Sequence, residues 1–229
     1  MNTENVSGVW IIIPAYNECK VICQIVQQVR TFFKNVVVIN DGSSDETAQR
    51  AAEGGAIVLS HPINLGQGAA LQTGITFALR NDAKFIVTFD ADGQHQIEDV
   101  PGMLAVMRRD GLDVVLGSRF MGSAINIAFS RRMLLYGAVL FTRLTTGLSL
   151  TDAHNGLRVL SRKAAAAIDL HQNRMAHASE ILEQIARNQM KYAEVGNTVR
   201  YTDYSMAKGQ RASNAINIIV DIVVGRLDK

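Results

Sequence analysis

Asp90-Ala91-Asp92 directly follows the apolar run Lys84-Phe85-Ile86-Val87-Thr88-Phe89. Such a run reads as a buried strand, and it delivers two carboxylates, two residues apart, to the strand's carboxyl end. Residues i and i+2 of a strand point to the same face. The strand ends here, so the following turn must re-aim at least one of the acids. Hard oxygen ligands this close together, with the amide of Gln94 beside them, suit a divalent cation that keeps positions open for substrate phosphates. The same residues also read as solvated acids at a strand end, and the pair alone does not choose.

Other candidate strands end in equally polar segments. These are Pro14-Ala15-Tyr16-Asn17-Glu18, Asn40-Asp41-Gly42-Ser43-Ser44-Asp45, His61 to Gly68, and Gly117-Ser118-Arg119. If the strands are parallel, all of these ends fall on one edge of the sheet, where ligands of open α/β sheets bind. Acids, amides and glycines along one edge suit a sugar and a nucleotide. Gly66-Gln67-Gly68 reads either as a phosphate approach or as a tight turn into a helix. No Gly-x-Gly-x-x-Gly follows the first strand and no P-loop occurs, so neither a dinucleotide site nor a P-loop enzyme is signalled.

The elements that must position these residues alternate. Strands are expected at Val9–Pro14 (stopped by the proline), Val36–Ile39, Ala56–Leu59, Phe85–Phe89 and Asp113–Leu116. Helices are expected at Glu18–Phe33, Ser43–Glu53, Gln67–Leu79 and Ile97–Arg109, with Ser43 and Glu46 forming a capping box. Apolar strands alternating with helices predict a mostly parallel sheet covered on both faces. The second half is more helical: Met133–Leu144, Ala164–Leu170, Ala178–Asn188 and an apolar Ala212–Leu227, with a late strand at Tyr192–Tyr201. No linker or repeat divides the 229 residues, so one domain is expected, a core over 9–161 and a helical part over 162–229.

Composition excludes several classes. A net charge of +2, a single tryptophan and no aromatic-interleaved basic patch argue against nucleic acid. Cys19 and Cys23 lack matched histidines and read as reduced structural thiols. The first residues lack an apolar signal core and no run reaches the length of a membrane span, so a cytoplasmic chain is expected. The histidines, 61, 95, 154, 171 and 177, form no ligand cluster. His95 is expected to support the acidic pair rather than ligate.

Together the segments Ile13-Pro14-Ala15-Tyr16-Asn17-Glu18, Val38 to Asp45, Asn64 to Gly68, Asp90-Ala91-Asp92-Gly93-Gln94-His95 and Gly117-Ser118-Arg119 resemble family 2 glycosyltransferases, most closely the dolichyl-phosphate mannosyltransferase-like branch. The resemblance implies the GT-A fold, a UDP- or GDP-sugar donor, and Mg²⁺ or Mn²⁺. It places Pro14, Ala15, Tyr16 and Glu18 in the nucleotide pocket and Asp41 against base or ribose. Asp90 stands near ribose or metal, and Asp92 and Gln94 hold the metal and donor diphosphate. Arg119 faces the diphosphate or an acceptor phosphate. Asp152-Ala153-His154-Asn155-Gly156-Leu157-Arg158 is similar to the segment that shapes the acceptor side. Tyr204-Ser205 with Lys208-Gly209-Gln210 is similar to a late loop that closes over the donor. Gln67 stands where relatives often carry lysine, and the Gln-x-x-Arg-Trp motif of processive synthases is absent, which favours transfer of a single sugar.

The implied reaction inverts configuration as the acceptor attacks the anomeric carbon. A hydroxyl acceptor needs a base, for which Glu180 is a candidate; an anionic polyprenyl phosphate needs none. A cell-surface glycan precursor is a further acceptor. Arg131 and Arg132 before the apolar helix fit a phosphate at a membrane surface, or else flank a buried helix. The last helix reads as packing on the sheet, pairing with a second copy or lying on a bilayer. Two competing functions remain open at this level, a sugar-phosphate nucleotidyltransferase and a degenerate sugar-nucleotide-binding partner subunit.

Overall fold

Val9–Ala15 (β1) is buried at every position, as expected of a strand covered on both faces. The structure, a computed structural model, describes residues 7–125, 129–172 and 176–201. The chain continues through Ile22–Arg30 (α1), Asn35–Asp41 (β2), Thr47–Glu53 (α2), Ile57–His61 (β3), Gln67–Arg80 (α3) and Phe85–Thr88 (β4). A 3-10 turn at Ile97–Asp99 then leads into Val100–Asp110 (α4), Val114–Ile125 (β5) and Phe129–Thr146 (α5). Arg158–Ser161 (β6), Arg162–Ala167 (α6), His177–Arg187 (α7) and Tyr192–Arg200 (β7) complete it.

The sheet order is β3-β2-β1-β4-β6-β5-β7. The β1–β2, β2–β3, β1–β4 and β5–β7 pairs are parallel, and β6 is antiparallel to both β4 and β5. β6 alone is therefore reversed, and β1 to β5 all end on one edge. Side-chain alternation along β1 divides the core. Trp10 and Ile12 pack with Leu71 and Ile75 of α3 and with Ile181 and Ile185 of α7. Ile11 and Ile13 pack with Ile22, Ile25 and Val26 of α1 and with Met103 and Leu104 of α4. In α1 the buried residues 22, 25, 26 and 29 recur at helical spacing.

Several expectations are corrected. Pro14 does not stop β1. It pairs in register with Ile39, and beyond Ile12 β1 is paired only to β2, so a residue without an N–H is tolerated there. α2 begins at Thr47 rather than Ser43, and the capping box does not form. Ser43 Oγ instead accepts from Asn17 N, and Asp45 Oδ1 accepts from Thr47 N and the Thr47 hydroxyl. β5 runs on to Ile125, so Gly117-Ser118-Arg119 lies inside a strand, where an irregularity between Ser118 and Ser123 begins. β6 was not anticipated; four residues are too few to show a period. Residues 204–210, including Lys208, and the apolar 212–227 segment lie outside the described residues.

Candidate active site at the carboxyl edge of the sheet

Phe89 N donates to Ile12 O at 2.9 Å, the last tie before the chain leaves β4 and presents Asp90 and Asp92. Asp90 Oδ1 accepts from Gln67 Nε2 at 3.0 Å, and Oδ2 lies 3.1 Å from His95 Nε2. Burial works against its charge, but the His95 bond and the positive charge of Arg158 hold its carboxyl below the usual range. Asp92 is opposite in character. Burial and then the charge of Asp90 push it up to about 6, against the Gln94 N–H bond at 3.0 Å to Oδ1 and the nearby His95. A carboxylate this short of compensating charge suits a bound cation. Among the described residues no three His, Cys, Asp or Glu side chains form a metal cage. Asp92, with Asp90 and Gln94, is a partial set of oxygen donors, fit for a cation that takes its remaining ligands from water and phosphate.

The turn carrying these donors is pinned by β7. Arg200 N donates to Gln94 O at 2.9 Å, His95 bridges to Val199, and Thr198 N donates to Asp99 Oδ2 at 2.8 Å. Gly93 at φ 73 allows the reversal.

On the β1 and β2 side, Pro14 and Ala15 are buried, Tyr16 is 48% exposed on the rim, and Glu18 is 9% exposed. Glu18 N donates to Thr47 Oγ1 at 2.7 Å. Asn17, at φ 53, exchanges bonds with Ser43 and Ser44, tying the two strand ends together. Asp41, expected to meet base or ribose, is bonded to its own chain. Its Oδ1 accepts from Leu65 N at 2.9 Å and lies 2.7 Å from His61 Nδ1, and Oδ2 accepts from Gly66 N at 2.7 Å. It thereby holds the loop into α3. The Gly66 N–H is consumed in this bond, and Gly66 stands at φ 100, so the glycine segment acts as a tight turn.

Arg119 is 7% exposed and faces inward. Its Nε donates to Asp152 Oδ2 at 2.6 Å, Nη1 to Tyr201 Oη at 2.7 Å and Nη2 to His154 O at 2.6 Å. It organises the 152–158 segment instead of standing free before a phosphate. Burial opposes its charge, but Asp152 raises its affinity for the proton, so it stays cationic. Glu194 in turn accepts from Thr151 N and Asp152 N at 2.7 and 3.0 Å. Arg158 is 3% exposed; burial lowers its affinity for the proton, and the charges of Asp90 and Asp152 offset that only in part. Glu180, considered as a base, accepts from His171 N and Gln172 N and anchors that loop to α7.

The edge therefore unites Asp90, Asp92, Gln94, Glu18 and the β1–β2 loops, with Arg119 one layer deeper. Sequence reasoning missed Gln67, Arg158 and Asn197 as partners. Gln67 is visible only as an exception to lysine, and Asn197 lies in β7, far along the chain from the turn it supports.

The family model described as glycosyl transferase family 2 matches residues 10–168. A UDP-N-acetylglucosamine–dolichyl-phosphate N-acetylglucosaminyltransferase of Methanococcus voltae is 29% identical, covering 96% of this chain and 97% of that protein. An undecaprenyl-phosphate mannosyltransferase of Micrococcus luteus is 34% identical over 69% of this chain and 68% of its own length. Among solved structures, glucosyl-3-phosphoglycerate synthase from Mycobacterium tuberculosis, in complex with Mn²⁺, UDP-glucose and phosphoglyceric acid, superposes with a TM-score of 0.69 at 17% identity, over 96% of this chain and 83% of that one. That likeness shows the shared GT-A fold.

Proposed function

Because this chain belongs to glycosyl transferase family 2, and is a glycosyltransferase, we propose that it moves one sugar from a nucleoside-diphosphate sugar to a polyprenyl phosphate, with inversion and with Mg²⁺ or Mn²⁺. The observation that carries this reading is the Asp90–Asp92 pair. One carboxylate is compensated by its neighbours, while the other is pushed up to about 6 by burial and by the charge of Asp90, at the sheet edge where a diphosphate would lie. When bound there, the cation would neutralise the charge that develops on the departing diphosphate. Asp92, Asp90 and Gln94 would hold it, Tyr16 and Glu18 would border the nucleotide, and Arg119 would keep the 152–158 wall in place. The named relatives act on dolichyl or undecaprenyl phosphate, which supports a lipid phosphate acceptor.

An acceptor phosphate oxygen attacks the anomeric carbon, the bond from that carbon to the diphosphate oxygen breaks, and the nucleoside diphosphate leaves. The acceptor is already anionic, so no base is required, consistent with Glu180 being engaged by backbone N–H groups. α5 supplies a surface for such a substrate. Val139 and Thr142 are buried, whereas Met133, Tyr136, Leu140 and Leu144 are exposed on one stripe. Arg132 lies 5.7 Å over the Tyr136 ring at its edge. An apolar stripe with a flanking cation suits peripheral attachment to anionic lipid. No described helix is long and apolar enough to cross a membrane.

The test is transfer from a panel of radiolabelled UDP- and GDP-sugars to polyprenyl phosphate in vesicles. Lipid-linked product with Mn²⁺ or Mg²⁺, lost on chelation, is expected. Nucleotidyl transfer from a nucleoside triphosphate to a sugar phosphate, or nucleotide binding with no transfer to any acceptor, would overturn it.

A further inference from the structure

A backbone N–H deep in the protein dictates how Asp90 is held. Leu157 N donates to Asn155 Oδ1 at 3.0 Å, and an amide N–H can only donate. Asn155 must therefore turn its Nδ2 the other way. That nitrogen has two acceptors, Asp152 Oδ2 at 3.3 Å and Asn197 Oδ1 at 2.9 Å, and the carboxylate independently demands a donor. With its oxygen committed, Asn197 presents Nδ2 to His95 Nδ1 at 3.4 Å. His95 Nδ1 is then the acceptor, and the ring proton lies on Nε2, 3.1 Å from Asp90 Oδ2. His95, Asn155 and Asn197 are 7%, 4% and 2% exposed, so bulk solvent does not compete for these bonds.

Resting on the function proposed above, we infer that His95 and Asn197 are positioning residues. Through a tautomer set from Leu157, they fix the carboxylate of Asp90 beside Asp92. Gln67 holds the other Asp90 oxygen, so the side chain is clamped from two directions. The same asparagine pair reaches Asp152, which anchors Arg119. One hydrogen-bonded chain, His95–Asn197–Asn155–Asp152–Arg119, thus spans the site from the diphosphate end to the acceptor end. The turn after β4, β5, β7 and the 152–157 segment are all joined by it.

The full-length protein, labelled with ¹⁵N, tests this by long-range ¹H–¹⁵N correlation of the His95 ring in the presence of chelator. The wild type is expected to show Nε2 protonated and Nδ1 bare. Asn197→Asp offers Nδ1 only an acceptor and is expected to draw a proton onto Nδ1. Binding of Mn²⁺ with UDP or GDP is then measured by calorimetry. Asn197→Asp and His95→Phe are expected to weaken it about tenfold or more, and His95→Gln, whose amide can still donate to Asp90, to recover part of the loss. A wild-type proton on Nδ1, or Mn²⁺–nucleotide affinity within about twofold of wild type in His95→Phe, would overturn the inference. If the wild type binds neither nucleotide with Mn²⁺, the functional reading fails. The ring spectrum then decides the positioning chain alone, with Nε2–H sustaining it and Nδ1–H overturning it.

Discussion

The Asp90 carboxylate rests on the α-carbon of Gly156: a Cβ there would come within 1.9 Å of Asp90 Oδ2. Gly156 cannot retreat, because its carbonyl accepts from Thr88 Oγ1 at 2.6 Å, and Thr88 belongs to the strand that presents Asp90. Two segments 68 residues apart are locked together at the site. Gly156→Ala should displace Asp90. A stability loss of about 1–3 kcal/mol is expected from overpacking, with a larger fall in Mn²⁺-dependent nucleotide binding, read by urea denaturation and calorimetry.

Asp92 should carry a distinct pH signature in metal-free protein. Its folded-state value of about 6 lies above the ordinary 3.8, so the folded state holds this proton more tightly than the unfolded chain. Stability from this group is greatest below about pH 4 and declines as pH rises towards 6. Asp92→Asn should flatten that decline and leave the chelated protein more stable at pH 7, by on the order of 2 kcal/mol. Transfer should nevertheless drop by at least about 100-fold, and Mn²⁺ should no longer raise the melting temperature.

The Arg119–Asp152 pair is buried, so losing one partner strands a charge. Asp152→Asn is expected to cost about 3–5 kcal/mol in chemical denaturation. Arg119→Lys should not restore stability, since an ammonium cannot serve Asp152, Tyr201 and His154 in the directions the guanidinium does. An unchanged denaturation midpoint in Asp152→Asn would contradict this description of the pair.

Leu140→Glu with Leu144→Glu changes side chains that are 59% and 78% exposed. The fold should survive with a shift within about 0.5 kcal/mol, as at ordinary surface positions. Sedimentation with anionic vesicles should fall several-fold and with it transfer to vesicle-borne acceptor. Transfer to a short, water-soluble polyprenyl phosphate should be spared.

The alternating half of the fold was legible because its physics is local. Val9–Ala15 and Asn35–Asp41 are apolar enough to require cover on both faces, and the helices between them repeat at the period that supplies it. The polar strand ends were legible for the same reason, since a parallel sheet puts them on one edge. β6 and the long β5 were not, because four residues show no pattern and a bulged strand carrying Ser118 and Arg119 looks like a turn.

What the order of residues determined alone was which groups stand at the sheet edge: Asp90, Asp92 and Gln94 at the end of an apolar run, with Tyr16, Glu18 and Asp41 beside them. Tertiary structure decided what each one is bonded to. Asp41 and Arg119 carry charges that look ready for a ligand, yet burial requires partners for them, and the folded chain supplies those partners from Leu65, Gly66, Asp152 and Tyr201. Asp90 is held below the usual carboxylate range, while Asp92 is left pushed up to about 6. That difference depends on which distant segments arrive next to each carboxylate, and hydrogen bonding and dielectric act through space rather than along the chain.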